Sequence, residues 1–365
     1  MTWHDERARF PVCERFAYLN AGTFGPLSAA TLAAMGELRD WEGQHGRGGR
    51  AYFEAMLDAR ERVRSLLAAQ LGVPADRVAL TDSTTQGVHV VVAGLDLGPG
   101  DEVVSTDAEH FGVTGPLAAS GTRIRVAKVH GLPAEQAFEA IRAEVTPRTR
   151  LLALSAVSWL DGALLPWREL REATGVPVLV DGAQSVGAIA VDATGADFYT
   201  VSAQKWLCGP DSTGALYVRD PEALRPRLVG YPAAESYDIA AASWEPKAGA
   251  ARFDPLFSPA TSLAGLEAAL SDLPEGRFER ARELVERLRE LLAEAGYEVL
   301  TPPGQGTLVT FAAPGDAAEA AAALYARGVV LRDLPATGTL RASVGWWNDE
   351  SDLERLVDGL SQLSS

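Results

Sequence analysis

Three lysines are present in the 365-residue chain, and Lys205 lies where an amine could do chemistry. It follows the apolar run 198–202 and precedes a Gly209-Pro210 break. Ligands bind at the ends of parallel strands in α/β proteins, and a lysine that is desolvated there loses its proton more readily. A neutral amine can form a Schiff base with an aldehyde cofactor. The alternative for a single lysine is a charged residue on a surface loop.

An acid ends another apolar run. Asp181 closes the run 177–181, and an acid directly after four apolar strand residues is seldom an ordinary solvated charge. Beside a pyridinium nitrogen, Asp181 would keep that nitrogen protonated and strengthen the ring as an electron sink. The alternative is an acid that caps the following turn.

Hydroxyl side chains follow the predicted strand 77–81. Ser83, Thr84 and Thr85 open the helix-like stretch 87–95. Hydroxyls and free backbone N–H groups at the start of a helix form a phosphate cradle. A plain helix N-cap explains any one of the three residues equally well.

A histidine and an arginine complete the set of candidates. His110 follows the predicted strand 102–106 and could stack on a planar cofactor ring and move protons. A structural histidine is the plainer alternative. Arg341 lies in the strand-like run 338–345 and could clamp a substrate carboxylate through two parallel hydrogen bonds. The alternative is an arginine on a solvated strand face.

The elements that must position these residues are short and strongly apolar. Each run has four to six residues bounded by Gly, Pro, Asp or Thr, which is typical of strands covered on both faces in a mostly parallel α/β sheet. The seven predicted strands are 77–81, 102–106, 123–127, 150–155, 176–181, 198–202 and 214–218. Predicted helices at 51–70 and 133–145 accompany them.

After residue 220 the pattern changes to that of a smaller α+β domain. The stretch 229–257 is predicted to be irregular, and helices are predicted at 261–273 and 276–295. Further elements follow at 308–311, 316–326, 329–332, 340–344 and 350–363. We therefore predict an N-terminal segment (1–18) that packs with the small domain, a large domain (19–225), and a linker with the C-terminal small domain (226–365).

Composition excludes several classes of protein. The net charge of −16 and the lack of a basic patch argue against a nucleic-acid partner. No apolar run approaches the length of a membrane span, and no signal peptide is visible, so a cytoplasmic location is expected. Two cysteines cannot form a disulfide framework. No metal site is predicted, and the Gly-x-Gly-x-x-Gly turn of nicotinamide-binding proteins is absent after the first strand.

Taken together and in this order, the motifs resemble the class V aminotransferase and cysteine desulfurase superfamily of fold-type I enzymes, which use pyridoxal 5′-phosphate (PLP). The resemblance covers nearly the whole chain. The motifs that carry it are Tyr18-Leu-Asn-Ala-Gly-Thr-Phe-Gly-Pro26, Asp82-Ser-Thr-Thr-Gln-Gly87, Pro99-Gly-Asp-Glu-Val-Val104, Glu109-His110, Asp181-Gly-Ala-Gln184, Ser202-Ala-Gln-Lys205-Trp206 and Arg341-Ala-Ser-Val followed by Asn348.

The resemblance implies a role for each candidate. Lys205 would hold PLP, Asp181 would meet its ring nitrogen, and His110 would stack on the ring; these three are the expected catalytic residues. The other expected cofactor contacts are Gln184 to the ring hydroxyl and Ser83, Thr84, Thr85 and Ser202 to the phosphate. The expected substrate-binding residues are Asn20, Ala21, Gly22, Trp159 and Arg341. A homodimer is also implied.

Two departures from the family pattern bear on function. Desulfurases carry a persulfide on a mobile cysteine, and the stretch 332–338 lacks one. Cys208 is interpreted as a packing residue. The sequence therefore predicts that the chain is not a persulfide-forming cysteine desulfurase. The segment 252–259, which should reach a partner subunit's phosphate, lacks a Gly-Thr pair, and Ser258 would substitute there.

The resemblance narrows the reaction. By this resemblance, a stacking histidine such as His110 is commoner among desulfurases, selenocysteine lyases, C–S lyases and epimerase-like members than among the aminotransferases. Trp159 and the run 205–210 look most like the branch of ergothioneine C–S lyases and isopenicillin epimerase-like enzymes. The leading hypothesis is a PLP-dependent lyase that eliminates a β-substituent from a small amino acid and yields a keto acid and ammonia. An aminotransferase that passes the amino group to a 2-oxo acid is the alternative. An amino-acid epimerase and a non-catalytic PLP-binding protein are further alternatives.

Overall fold

The computed structural model describes residues 2–363, so Met1, Ser364 and Ser365 of the predicted terminal segments lie outside the described residues. The α-helices are α1 (Trp3–Ala8), α2 (Ala29–His45), α3 (Arg50–Leu71), α4 (Thr84–Gly94), α5 (Phe111–Ala119), α6 (Ala134–Ala143), α7 (Trp167–Thr174), α8 (Ala260–Ser271), α9 (Arg277–Glu294), α10 (Ala317–Ala326) and α11 (Glu350–Ser361). The strands are β1 (Ala17–Tyr18), β2 (Val78–Thr81), β3 (Glu102–Thr106), β4 (Arg123–Ala127), β5 (Thr149–Ser155), β6 (Val178–Asp181), β7 (Phe198–Ser202), β8 (Gly214–Val218), β9 (Ala234–Asp238), β10 (Ser243–Pro246), β11 (Leu308–Ala312), β12 (Val329–Val330), β13 (Arg332–Leu334) and β14 (Thr339–Ser343).

Seven strands form one sheet in the order β2-β8-β7-β6-β5-β3-β4. Strands β4, β3, β5, β6 and β7 are parallel, whereas β8 is antiparallel to both of its neighbours. This arrangement confirms the predicted mostly parallel α/β fold.

The apolar runs form strands because both of their faces are buried. In β6, Val178 and Val180 belong to one hydrophobic cluster, while Leu179 between them belongs to a second cluster on the opposite face. Alternating side chains of a strand point to opposite faces of the sheet. A strand that is covered on both sides therefore reads as a continuous apolar run.

The order of the strands reverses between β3 and β5. The chain passes from β3 to β4 on one side, and then returns to place β5, β6 and β7 on the other side. The loops after β3 and β5 therefore leave in opposite directions and open a crevice at the carboxyl ends of the strands, which is where open α/β sheets bind ligands.

A smaller three-stranded antiparallel sheet, in the order β11-β14-β13, lies in the C-terminal part of the chain. A third hydrophobic cluster includes residues of this sheet and of α9, α10 and α11, together with Ala17 and Leu19 from the N-terminal segment. Strand β1 pairs in parallel with β12. Helix α8 contacts α2 and α3. The domain boundaries at residues 19 and 226 stay a prediction.

The sequence-based outline differs from the structure in the stretch 229–257. Instead of irregular chain, β9 and β10 form an antiparallel hairpin there. The residues of β9 from Glu235 to Asp238 are exposed, so the hairpin lacks the apolar alternation that identifies a half-buried strand. Within residues 2–363, no helix is both long enough and apolar enough to cross a membrane.

The buried carboxylate of Asp254 connects the segment that follows this hairpin to the large sheet. Asp254 accepts hydrogen bonds from Arg60 at 2.7 Å, from both terminal nitrogens of Arg64 at 3.2 and 2.8 Å, and from the backbone N–H of Leu80 in β2 at 2.8 Å. All three charged side chains are buried. The network therefore joins α3, β2 and the segment that leads to Ser258.

We predict that Asp254→Ala lowers the free energy of unfolding by about 3–5 kcal/mol, because it leaves two buried guanidinium groups without their shared counter-charge. Urea unfolding measures the change. Asp58→Ala, at an exposed position of the same helix as Arg60, is the matched control and should stay within about 0.5 kcal/mol of the parent. Equal effects of the two substitutions would contradict the assignment of Asp254 as the link.

Candidate active site

The side chains predicted to do chemistry meet in one cavity at the carboxyl ends of the strands. Its lining residues come from the loops after β3, β5, β6 and β7, and they are His110, Ser155, Val157, Trp159, Asp181, Ala183, Gln184 and Lys205. The parallel topology is what brings residues that are distant in sequence to the same edge.

Lys205 occupies a low-dielectric position on the turn after β7. Burial lowers the pKa of its amine to about 8, and the nearby positive charges of Arg341 and Arg332 act in the same direction. Asp181 opposes them, because its negative charge favours the ammonium form. A substantial fraction of the amine is therefore neutral at mildly alkaline pH, as a nucleophilic lysine requires.

Asp181 is the last residue of β6 and is buried. Its Oδ1 accepts the N–H of Ala183 at 2.9 Å, while Oδ2 accepts no hydrogen bond from the described residues. One oxygen is thus used to hold the turn after the strand, and the other is left for a ligand in the cavity. The turn-capping alternative and the cofactor interpretation of Asp181 are compatible.

His110 is the N-cap residue of α5. Its Nδ1 accepts the backbone N–H of Gly112 at 3.0 Å, so the neutral ring carries its proton on Nε2. Burial lowers the pKa of His110, and the positive charges of Lys205, Arg332 and Arg341 lower it further. The Trp159 ring stands perpendicular to the His110 ring, with 5.2 Å between ring centroids.

The start of α4 lies beside the end of β7. The Ser202 hydroxyl accepts the backbone N–H of Thr84 at 3.3 Å and contacts the Thr84 hydroxyl at the same distance. The Ser83 hydroxyl accepts the N–H of Gln86 and donates to Asp82, so it fills the ordinary N-cap role. Thr84 and Thr85 occupy the first turn of the helix, where backbone N–H groups attract an anion.

Ser258 does not line the cavity of Lys205. It lies in a neighbouring cleft that also contains Asp82, Gln86 and Ser212. The structure therefore places Ser258 on the outer side of the α4 N-terminus. Its predicted contact with a partner subunit's phosphate stays a prediction.

Gln184 links two segments of the site. Its Nε2 donates to the carbonyl oxygen of Gly22 at 2.9 Å, and its Oε1 accepts the indole N–H of Trp206 at 2.9 Å. The second hydrogen on Nε2 remains for the predicted contact with a ring hydroxyl. Gln184 thereby connects the turn that contains Gly22, which we call the N-terminal turn, to the segment that carries Lys205.

The N-terminal turn lies against Arg341. A Cβ atom added at Gly22 would come within 2.7 Å of the Ser343 hydroxyl and 2.8 Å of Arg341 Nη2, so any larger residue would displace them. Asn20 forms a β-bridge with Ser343. The Ala21 side chain is buried in the main hydrophobic cluster. The predicted substrate residues of this turn thus shape the surroundings of Arg341.

Arg341 is almost completely buried but has no acidic partner among residues 2–363. Its Nη1 donates to the carbonyl oxygen of Trp159 at 2.8 Å, its Nη2 lies 3.4 Å from the Thr23 hydroxyl, and its Nε has no hydrogen-bond partner among the described residues. Burial and the positive charge of Arg332 lower the pKa of Arg341 to about 9. A guanidinium group can bind a carboxylate through two parallel hydrogen bonds, so the predicted role of Arg341 in substrate binding stays a prediction that is compatible with its unpaired Nε.

Sequence reasoning missed Arg332. This residue lies directly opposite Arg341 in the β13–β14 ladder, and its Nη1 is 3.5 Å from the same Thr23 hydroxyl. Within residues 2–363, neither guanidinium forms an ion pair with an acid. The register of two short strands creates this pair, and the only signal in the sequence is an arginine in the predicted strand 329–332.

The family model for class-V aminotransferases matches residues 18–356. The chain belongs to this family. It is 29% identical to isopenicillin N epimerase of Streptomyces clavuligerus over an alignment that covers 99% of this chain and 98% of the relative. It is 31% identical to a cysteine desulfurase of Haloferax volcanii, with 84% of this chain and 78% of the relative covered.

Solved structures of the same family share the fold closely. The cystine C–S lyase C-DES, in complex with its reaction product cysteine persulfide, superposes with a TM-score of 0.89 at 26% identity and covers 98% of this chain and 99% of that chain. A second structure of C-DES holds glycine covalently linked to its PLP cofactor. The class-V family is PLP-dependent, and this chain is a PLP-dependent class-V enzyme.

The sequence-based exclusion of a persulfide-forming cysteine desulfurase is wrong. Relatives named cysteine desulfurases align over most of the chain, and the C-DES structure shows cysteine persulfide as that protein's product. The exclusion depended on a missing cysteine in the stretch 332–338. A persulfide that is carried by a small-molecule product needs no cysteine at that place.

The residues of the cavity fit PLP. The amine of Lys205, whose pKa is lowered to about 8, matches an aldehyde; Oδ2 of Asp181, which accepts no hydrogen bond from the described residues, matches a ring N–H; and the first turn of α4 matches a phosphate. Lys205 and Asp181 follow the neighbouring strands β7 and β6, and Ser202 at the end of β7 contacts the start of α4. These features match PLP whichever reaction the enzyme catalyses.

We predict that Asp181→Asn lowers the pKa of Lys205 below about 8, because the substitution removes the charge that favours the ammonium form. Competitive acetylation of the PLP-free protein over a range of pH, analysed by peptide mass spectrometry, measures the midpoint for Lys205. Exposed Lys128 is the internal reference. A midpoint that stays the same or rises in the variant would refute the electrostatic role of Asp181.

Proposed function

We propose that this enzyme is a C–S lyase that acts on an amino acid with two carboxylates, of the disulfide type represented by cystine, and cleaves one C–S bond by β-elimination. The observation that carries the proposal is the pair Arg332 and Arg341, two unpaired guanidinium groups beside Lys205. Like charges directly opposite each other across strands are destabilising. Two bound carboxylates would relieve this repulsion.

Each carboxylate has a separate place in the proposed complex. The Nε and Nη2 edge of Arg341 takes the carboxylate of the half that reacts, because Nη1 is already held by the Trp159 carbonyl. Arg332 is less buried than Arg341, so it takes the carboxylate of the distant half. Thr23 lies between the two arginines and orients them.

PLP, when bound, would supply an aldehyde for the substrate amine and a ring that accepts electron density from Cα. Lys205 would hold the cofactor, and its amine would be free once the substrate is bound. The released amine of Lys205 then takes the proton from Cα, since its pKa of about 8 makes it a suitable base near neutral pH. Asp181 keeps the ring nitrogen protonated.

His110 is proposed to act at the departing sulfur. A hydrogen bond from the backbone occupies Nδ1, so the neutral ring carries its proton on Nε2, where it can be donated. The bond between Cβ and sulfur breaks, the sulfur takes the electron pair, and His110 donates the proton to it. With one water consumed, the rest of the reacting half would leave as pyruvate and ammonia. The product that carries sulfur is a persulfide of cysteine.

The cofactor's phosphate is proposed to bind at the N-terminus of α4. Thr84, Thr85 and Ser202 provide hydroxyl and backbone N–H groups there, whereas the Ser83 hydroxyl is engaged within the cap. A homodimer in which Ser258 reaches the partner's phosphate is part of the same proposal. The position of Ser258 outside the cavity supports this reach.

A second candidate is an epimerase of amino acids. It is favoured by the relative named isopenicillin N epimerase, which aligns over nearly the full length of both chains. Both reactions begin with removal of the α-proton by the same residues. They differ in whether the proton returns to Cα or a substituent leaves Cβ.

The expected result with cystine is one pyruvate, one ammonia and one persulfide for each cystine consumed, and Lys205→Ala should abolish turnover. Arg332→Ala should raise KM for cystine about 10- to 100-fold, because a desolvated carboxylate loses its partner. The same variant should leave KM for S-methylcysteine, which has one carboxylate, nearly unchanged. Arg341→Ala should impair both substrates. Steady-state assays of pyruvate and persulfide measure these effects.

Arg282→Ala, at an exposed position of α9, is the matched control and should behave as the parent. Equal losses for both substrates in Arg332→Ala would argue against a diacid substrate. Deuterium exchange at Cα without pyruvate would establish the epimerase instead. Transfer of the amino group to a 2-oxo acid would establish an aminotransferase.

A further inference from the structure

Glu109 precedes His110 and joins the ends of two strands. Its Oε1 accepts the hydroxyl of Thr106 at 2.9 Å and the backbone N–H of Ser155 at 3.0 Å, and its Oε2 accepts the Ser155 hydroxyl at 2.5 Å. Thr106 ends β3, and Ser155 ends β5. The carboxylate is therefore held by one hydrogen bond from its own side of the gap, the end of β3, and makes two hydrogen bonds across the gap to the end of β5.

The bonds of Glu109 begin where the ladder between β3 and β5 stops. The last residues paired in register are Val104 and Leu152. Beyond them the backbone ladder ends, at the point where the order of the sheet reverses and the two loops leave in opposite directions. Side chains make the links that follow: the Ser105 hydroxyl donates to the carbonyl oxygen of Ala153 at 3.0 Å, and the Glu109 carboxylate bonds the last residues of the two strands.

The two ends that Glu109 joins carry different halves of the active site. His110 directly follows Glu109 and faces the cavity from the β3 side. Ser155 also lines the cavity and is the register partner of Asp181 on β6. The width of the gap therefore sets the position of His110 relative to Asp181 and Lys205.

We propose that Glu109 is a positioning residue, whose carboxylate fixes the gap between β3 and β5 and thereby holds His110 over the cofactor. The proposal extends the function proposed above and rests on the roles given there to His110 and Asp181. Glu109 itself touches neither substrate nor cofactor. Its effect is transmitted through the strand ends.

The charge state of Glu109 gives this link a pH dependence. Burial raises the pKa of Glu109 to about 7, and the negative charge of Asp181 acts in the same direction. The hydrogen bonds from Ser155 and Thr106 oppose this rise, because they favour the ionised carboxylate. The other titratable group beside Glu109 is His110, the next residue in the chain, and the charge of Lys205 acts on His110 in turn. The ionised carboxylate accepts all three hydrogen bonds above pH 7. Protonation below pH 7 turns one oxygen into a donor and weakens the link.

The test compares Glu109→Gln with Glu135→Gln, a matched substitution at an exposed position of α6. The first readout is the visible absorption of the PLP-loaded protein without substrate, titrated with pH. The parent and Glu135→Gln should show a step with a midpoint near 7, and Glu109→Gln should lack it because an amide does not titrate. The second readout is kinetic: kcat should fall about tenfold or more while KM changes less than about twofold.

Thr106→Val provides an independent measure that leaves Glu109 in place. It removes one hydrogen bond that favours the carboxylate, so the midpoint of the spectral step should move upward. A step that persists in Glu109→Gln, an unmoved midpoint in Thr106→Val, or a rise in KM at constant kcat would overturn the proposal. If the parent does not cleave cystine, the proposed function fails, and the substrate-free titration still decides the role of Glu109.

Discussion

Burial of the Lys205 amine makes its charged form costly, and the charges around it decide how far the pKa falls. Asp181 is the acid that opposes this fall, whereas Arg332 and Arg341 contribute to it. Two arginines without acidic partners would be an unusual feature of a purely structural core. Under the proposed function they serve two purposes, because the charges that help burial to lower the pKa of the amine are also the charges that would receive a substrate's carboxylates.

This electrostatic arrangement depends on two parts of the fold meeting at one edge. The large sheet brings Lys205, Asp181 and His110 to the ends of its parallel strands, and the small sheet brings the arginines. The loop after β5 connects them: the Trp159 carbonyl accepts Arg341, and the carbonyl of Leu160 accepts the Thr310 hydroxyl of β11 at 2.6 Å. A displacement of this loop would therefore change both the substrate pocket and the charge near the amine.

The sequence was sufficient to predict the strands that are buried on both faces, since continuous apolar runs identify them directly. It also placed Lys205, Asp181 and His110 together, because residues after parallel strands converge on one edge. It could not give the pairing of Arg332 with Arg341, which depends on the register of short strands, nor the link made by Glu109, which depends on where the backbone ladder between two strands ends. The exclusion of a desulfurase failed because it treated one missing cysteine as a requirement of the chemistry.

The most direct test of this account is the identity of the amine that holds PLP. The PLP-loaded protein is reduced with borohydride, digested and mapped by mass spectrometry. The pyridoxyl group is expected on the peptide that contains Lys205, in nearly stoichiometric amount. Its presence on Lys128 or Lys247 instead, or its absence from every lysine, would contradict the assignment of the active site.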